Sequence, residues 1–377
     1  MKKILYVATV ASHICQFHLP YLKMFQEKGY EVHVAARNNL AEKNGLQLKN
    51  VDRFFETPFQ RAPFNLKNIK AYGQLKKIIN NNQYDLIVCN TPVGGILTRM
   101  AAKKARKNGA KVLYIAHGFH FYKGASKKNW LIYYPIEKYF AKQCDMLITI
   151  NEEDYLLAKE KFAVQTARIH GVGVDPNRYT LISLEERQKR RLNLGYTEEQ
   201  FLVLVVGELL PNKNQLQAIK AIEEVVKKSK QIKLLIAGNG KERDVLEKYV
   251  QEHELSNYVE FLGYCTRLED YQCCIDLGVS CSIREGLGLN VIESMMSGNT
   301  FIATRNRGHN ELIEDGQNGF LVDIGDVSSL AERILFLMEN QSIREQMQKN
   351  AIGFVERYSL KETKKEMLDI VEQVIGQ

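Results

Sequence analysis

No apolar stretch in this 377-residue chain approaches the roughly 20 residues that a helix needs to cross a bilayer. That excludes a helical membrane span. The seven cysteines, Cys15, Cys89, Cys144, Cys265, Cys273, Cys274 and Cys281, are odd in number and contain no Cys-x-x-Cys pair. A disulfide framework and a zinc knuckle are both disfavoured, and the thiols read as buried groups in a reducing compartment. The opening Met1–Ala8 superficially resembles a signal peptide. Its apolar run ends at His13, and Gln16 and His18 follow with no small-residue cleavage site, so a first buried strand is expected and the protein is expected in the cytoplasm. No low-complexity segment, no short repeat and no Asp-x-Asp metal motif occurs.

Acidic charge is scarce in one half only. Residues 1–180 hold 28 Lys and Arg against 13 Asp and Glu, a net of +15, and the remainder holds 24 against 31, a net of −7. Lys103, Lys104, Arg106 and Lys107 follow an apolar-patterned helix, and Lys123, Lys127 and Lys128 precede the aromatic cluster Trp130, Tyr133 and Tyr134. Basic residues beside exposed aromatics suit an anionic membrane surface. They would also suit nucleic acid, or serve only to keep the protein soluble. No nucleic-acid motif accompanies them, so no nucleic-acid partner is expected and the membrane reading is favoured.

What is present is an α/β pattern. The length suits two domains, and short β-branched runs alternate with longer amphipathic ones, as in parallel sheets with crossover helices. Strands are expected at Ile4–Val10, Glu31–Ala36, Leu86–Asn90, Lys111–Ala116 and Met146–Ile150, then at Phe201–Val206, Lys233–Ala237, Val259–Leu262, Leu277–Cys281 and Thr300–Thr304. Helices fit between them, near Gln16–Lys28, Leu66–Asn80, Gly95–Lys107 and Trp130–Gln143, and in the second half near Gln215–Ser229, Glu242–Glu252, Leu268–Cys273, Leu289–Ser297 and Val327–Asn340. The segment Ile169–Pro176, with two glycines and a proline, suits a hinge. Domains are expected at 1–173 and 174–357.

The most informative stretch is Arg284–Gly298, which puts Glu285 in a glycine-bearing turn after an apolar strand and Glu293 eight positions later, in a helix. Unpaired N–H groups at the helix start, around Gly286, Leu289, Asn290 and Val291, suit a diphosphate. The two carboxylates suit hydroxyls, and sugars are rich in hydroxyls. A Glu near a helix start is also favoured by the helix dipole alone, so the motif needs its context. It resembles the E-x7-E signature of retaining glycosyltransferases of family 4, with the GT-B fold. Phe301–Thr304, Gly308, Glu311–Gly316 and Asn318–Val322 follow the same family's pattern.

The resemblance implies two facing Rossmann-like domains with parallel sheets and a cleft between them. The N-terminal one would bind acceptor and the C-terminal one the nucleotide-sugar donor, and a terminal helix within 358–377 would cross back to the first. It places donor phosphate on Lys213 and the Gly286–Asn290 turn, ribose on Glu293, and donor-sugar hydroxyls on Glu285. Gly207, Gly238, Gly240 and Tyr264 would line the nucleotide. Where the family has an Arg ahead of the Lys, this chain has Glu208. Arg284, Arg305 or Arg307 could substitute, and the sequence leaves that choice open.

In the first half, His117–Gly124 follows a strand and resembles capsule and exopolysaccharide enzymes, with His117 on the family's catalytic-site histidine and His120 a weaker candidate. The loop Val10–Cys15 lacks the glycines many members have, which leaves Ser12 or His13 for the acceptor, or Ser12 as a helix cap. The implied function is transfer of a sugar from a UDP-linked donor to a polyprenyl-diphosphate-linked saccharide, with no metal or other cofactor. It would take place at the inner face of the cell membrane, with a polysaccharide-assembly complex as a further partner. The rivals are a non-hydrolysing UDP-sugar epimerase, for which no convincing first-domain acid–base set is found, and a catalytically inactive membrane adaptor, which Glu208 favours.

Overall fold

The computed structural model describes residues 1–42 and 45–376. The chain forms two compact units. One is Met1–Gly173 joined by the segment from Leu360 on, and the other is Val174–Ser359.

The first unit is built on seven parallel strands, β1 (Lys3–Val10), β2 (Glu31–Arg37), β3 (Arg53–Glu56), β4 (Leu86–Asn90), β5 (Lys111–Ala116), β6 (Met146–Thr149) and β7 (Thr166–Arg168). Their order is β3-β2-β1-β4-β5-β6-β7. β1 is buried at every position after Lys3, and β4 throughout. Such unbroken apolar runs are what a parallel strand covered on both faces requires. The second unit repeats the design with β8 (Phe201–Val206), β9 (Ile232–Ala237), β10 (Val259–Gly263), β11 (Leu277–Ser280), β12 (Thr300–Thr304) and β13 (Gly319–Val322), ordered β10-β9-β8-β11-β12-β13. In each sheet the winding reverses once, between β1 and β4 and between β8 and β11. Loops leaving the carboxyl ends of strands on either side of such a switch diverge and leave room for a ligand.

The expected strands lie within a residue or two of their predicted bounds. β3, β7 and β13 were not expected: Arg-Phe-Phe-Glu and Thr-Ala-Arg are too short and too polar to read as strands, and Gly-Phe-Leu-Val is only four residues long. Four helices were also missed, at Glu152–Lys161, Leu184–Asn193, Arg307–Leu312 and Gln341–Val355. In the second of these only Arg191 is buried, so no apolar stripe announces it. Its start is fixed instead by Ser183, whose side chain accepts from the Glu186 N–H. The expected helix Gln16–Lys28 is two, Ala11–Phe17 and Leu19–Glu27, broken at His18 with Pro20 in the next first turn. The C-terminal helix Leu360–Ile375 packs on Leu19–Glu27 within the first unit. All seven cysteines are free, and six are buried.

A buried ion pair ties two helices of the first unit to its sheet. Arg99, on the helix Pro92–Ala101, donates from Nη2 to Glu137 Oε2 at 2.9 Å, and Glu137 lies on the helix Lys127–Ala141. Tyr114 of β5 donates to the other carboxylate oxygen at 3.2 Å, and the guanidinium lies 3.9 Å over its ring. Arg99 is 0% exposed, so losing its partner strands a charge. Glu137→Ala should therefore lower stability by about 3–5 kcal/mol in urea unfolding. A change under about 1 kcal/mol would mean the pair behaves as a surface contact.

Candidate functional site

In the second unit the loops after β8 and β11 meet. Lys213 ends a short 3-10 turn, Pro211–Lys213, that leaves β8, and its stem lies along Gly207. Glu285 comes from the loop after β11. The Lys213 Nζ to Glu285 Oε1 distance is 2.5 Å. The loops are stitched by backbone as well. The Ile283 N–H donates to the Asn212 carbonyl at 2.8 Å, and Asn212 Nδ2 donates to the Arg284 carbonyl at 3.0 Å. Two glycines allow this closeness. A Cβ on Gly238 would fall 1.9 Å from the Gly207 carbonyl oxygen, and one on Gly308 would fall 2.9 Å from Glu285 Cβ. Gly240 packs on Leu209 in the same way.

The structure distinguishes the three arginines that sequence left open. Arg305 pairs with Asp315 at 2.7 Å and with Asp323 at 3.6 Å. Arg284 is exposed and engages the site through its carbonyl. Arg307 reaches the site itself, donating from Nε to the Glu285 carbonyl at 3.2 Å. Glu285 is thus held at both ends, its carboxylate by Lys213 and its carbonyl by Arg307. Glu208 is exposed at the entry to the same loop.

The helix Leu289–Met296 begins at Gly288, which has φ +96° and gives no side-chain cap. Its first N–H groups are uncapped by any side chain, with Asn290 Nδ2 3.5 Å from the Val206 carbonyl and Val291 buried beneath. Glu293 lies further along, hydrogen-bonded by Tyr179 and close to Arg178 and Glu269. Burial pushes its carboxyl up to about 7, against the opposing pull of Arg178 and the Tyr179 hydroxyl, and Glu269 raises it further. Tyr264 is 48% exposed just past β10.

Sequence reasoning missed Tyr179, Arg178 and His309. His309 is fully buried, with Nδ1 2.7 Å from the Thr304 carbonyl and Nε2 without a partner. Asn306 Nδ2 also lies 2.9 Å from Nδ1.

In the first unit, three imidazoles gather beyond β1, β4 and β5. His13 Nε2 lies 3.3 Å from His117 Nε2, and His117 Nε2 also lies 3.3 Å from Asn90 Oδ1. His18 closes the group, 1% exposed, with neither ring nitrogen hydrogen-bonded. Burial lowers all three pKa values. His117 falls to about 4, and His13 is lowered further by His117, His18 and Arg61, so the rings are neutral at pH 7. Ligand nitrogens of the three lie within 4.8 Å of one another, a grouping that could hold a metal among the described residues. His18 and Asn90 were not anticipated; the signal was four of the chain's eight histidines falling in two strand-end segments.

Two expectations need correcting. Ser12 caps no helix, and its hydroxyl oxygen is tied to Asn39 at the edge of a hollow. The helix N-cap is Val10, and Ser12 Oγ accepts from Asn39 Nδ2 at 2.9 Å while its N–H donates back to Asn39 Oδ1. Trp130, Tyr133 and Tyr134 are not exposed aromatics but pack on the core, with Trp130 Nε1 donating to the Tyr122 carbonyl at 3.2 Å. The exposed apolar residues of that helix are Leu131, Ile132 and Tyr139. His120 stacks on Tyr133 with ring centroids 4.7 Å apart.

Two family profiles match these two halves. "Glycosyl transferase 4-like" matches residues 3–151, and "Glycosyl transferases group 1" matches residues 186–354. The chain is 43% identical to the "Putative glycosyltransferase EpsD" of Bacillus subtilis over 371 residues, covering 98% of this chain and 96% of that one. It is 25% identical to an Escherichia coli UDP-Gal:alpha-D-GlcNAc-diphosphoundecaprenol alpha-1,3-galactosyltransferase, covering 78% of this chain and 76% of that one. Anabaena HepE, solved with UDP and glucose, superposes with a TM-score of 0.80 at 21% identity, covering 99% of this chain and all of that one. The chain belongs to the group 1, family 4 glycosyltransferases and has their GT-B fold of two Rossmann-like domains. It is a transferase enzyme.

The Glu293 environment makes a pH prediction. A carboxyl whose folded pKa is raised from 4.5 to about 7 favours folding only while protonated. That contribution is full below about 4.5 and is lost as pH rises through about 7. Glu293→Gln, neutral throughout, should match wild type near pH 4.5 and be more stable by on the order of 2 kcal/mol at pH 8, read by chemical unfolding. A pH-independent difference would contradict the buried-carboxyl account.

Proposed function

We propose that this chain transfers a sugar, with retention, from a UDP-linked donor to a polyprenyl-diphosphate-linked saccharide during exopolysaccharide or capsule synthesis. The observation that carries the reading is the Lys213–Glu285 pair with Arg307 beside it, set at the switch point of the second sheet. Support comes from the relative that acts on a diphosphoundecaprenol-linked sugar and from the fold shared with a UDP-bound protein.

In this reading the donor diphosphate takes Lys213 from the Glu285 carboxylate and Arg307 from the Glu285 carbonyl. Lys213, Arg307 and the N–H groups of the Gly286–Asn290 turn bind phosphate, so Arg307 stands in for the arginine that Glu208 displaces. Charge on the departing UDP is offset by these groups, with no metal required. Glu293 and Tyr179 hold the ribose, Gly207, Gly238, Gly240 and Tyr264 line the nucleotide, and Glu285 takes donor-sugar hydroxyls. His117, neutral, contacts the transferring sugar, and His13 and His120 face the acceptor. Attack comes from the face the leaving group departs, so no protein nucleophile is needed. The decisive assay is UDP release. It should require both donor and lipid-linked acceptor, whereas an epimerase would turn over donor alone and an adaptor would do neither.

Lys213→Ala should weaken UDP far more than uridine, because the lost bond goes to phosphate. A charge-assisted bond is worth on the order of 1.5–3 kcal/mol. Calorimetric titration checks it, and equal losses for both ligands would move Lys213 out of the phosphate site.

The basic first unit docks on an anionic surface at the cytoplasmic face of the membrane in this reading. Among the described residues no helix is long and apolar enough to cross one. Lys103, Lys104 and Lys107 belong to a short helix with no buried residue. Reversing the three to Glu should release the protein from phosphatidylglycerol vesicles at low salt while leaving its melting temperature unchanged. Undiminished vesicle binding would remove membrane docking by this surface.

A further inference from the structure

The first unit contains two adjoining hollows, one of mixed lining that carries the polar groups and one largely apolar. One, of about 440 Å³, is edged by polar groups that include Thr9, His13, Gln16, Arg61 and Thr91. The other, of about 180 Å³, is walled by Phe64, Val93, Ile96, Ile132, Tyr133 and Ile136. Pro92, Val93 and His120 border both. The loop carrying Arg61 at the polar hollow carries Pro63 and Phe64 at the apolar one.

The carboxylate at the apolar hollow, Glu137, is already paired with Arg99 and Tyr114, so it brings no free charge. The segments that wall this hollow also carry apolar side chains in solvent: Phe64, which lines it, is 91% exposed, and nearby in sequence Leu66 is 80%, Ile69 69% and Leu131 77% exposed. Exposed Lys67, Lys70, Lys127 and Lys128 are interleaved with them in sequence. Exposed apolar groups alternating with cations suit a surface that meets an amphiphile.

We propose that the apolar hollow holds the first isoprene units of the acceptor's polyprenyl chain, with Arg61 on the diphosphate and the saccharide in the polar hollow. The proposal rests on the transferase reading above and adds where the acceptor lies. The polarity sequence of the protein, from neutral imidazoles through a cation to an apolar slot opening among exposed hydrocarbon, matches that of the ligand from sugar through diphosphate to prenyl chain. A buried methylene contributes favourable transfer energy and a diphosphate favours a guanidinium fork, so the two halves of the ligand select the two hollows.

The test uses the full chain with UDP saturating, so that the donor loops are occupied. Farnesyl diphosphate and inorganic diphosphate are compared by calorimetry, without vesicles or detergent. Wild type should bind farnesyl diphosphate roughly tenfold or more tighter than inorganic diphosphate. Ile132→Asp and Ile136→Asp should each remove most of that preference. Leu131→Asp, on the same helix but outside the hollow, should keep it. Two variants guard against one of them failing to fold, and circular dichroism checks both.

A wild type with no preference would overturn the proposal. So would a Leu131→Asp loss equal to the others, which would mean nonspecific partition on the surface. If the Ile variants lose phosphatidylglycerol vesicle binding and keep the farnesyl preference, the hollow serves the bilayer and the proposal is likewise overturned. Lipid-dependent UDP release that persists through any of these failures would leave the transferase reading standing.

Discussion

The contact between Lys213 and Glu285 joins residues 72 apart in sequence at 2.5 Å. It exists because β8 and β11 are neighbours across the switch point of their sheet. Chain reversal there sends one loop each way, and the two loops meet again above the strand ends. A methyl group on Gly308 would press on Glu285 and Leu287 of one loop, and one on Gly238 would press on the Gly207 carbonyl of the other. Much of the second unit's core, from Val203 and Val205 to Val279 and Ile302, serves to keep the strand ends in register beneath that pair. A cation and a carboxylate satisfying each other in a partly buried site are poised for exchange. A diphosphate offers the cations a better-matched partner, and the released carboxylate is then available for hydroxyl groups.

The first unit uses the same geometry for a different chemistry. Its switch point lies between β1 and β4, and β5 runs beside β4. The groups brought together are uncharged, because burial holds His13, His18 and His117 well below the ordinary histidine range. One unit therefore presents two cations held on one glutamate, by its carboxylate and its carbonyl, and the other presents neutral imidazoles with amide and hydroxyl groups. That division suits an anionic donor and a hydroxyl-bearing acceptor.

The fold was legible in most strands whose burial is continuous, the four-residue β13 being the exception. β1, β4, β5, β8 and β12 are runs of apolar residues that the sequence displays directly, and the chain-terminal helix Leu360–Ile375 shows a full amphipathic stripe. Edge strands and polar helices were not legible. β7 has no buried residue, and Leu184–Asn193 owes its place to Arg191, which reaches Asp276 and the Cys274 carbonyl. Charge networks across 85 residues leave no periodicity to read. At the candidate site, the sequence singled out Glu285, Glu293 and Lys213. It could not say which of Arg284, Arg305 and Arg307 approaches Glu285, because they differ only in what surrounds them. Nor could it show that Ser12 is tied to Asn39 or that Glu293 is met by Tyr179.

The central claim is that Glu285 holds Lys213 only until donor arrives and then acts on the transferring sugar. The direct measurement is Glu285→Gln, taken through both UDP affinity and steady-state turnover with saturating lipid-linked acceptor. Freeing Lys213 should leave UDP binding as tight as wild type or tighter. Meanwhile kcat should fall about 10²-fold or more with the melting temperature unchanged. Near-normal kcat, or weakened UDP binding in a folded variant, would contradict the account and return the inactive adaptor to consideration.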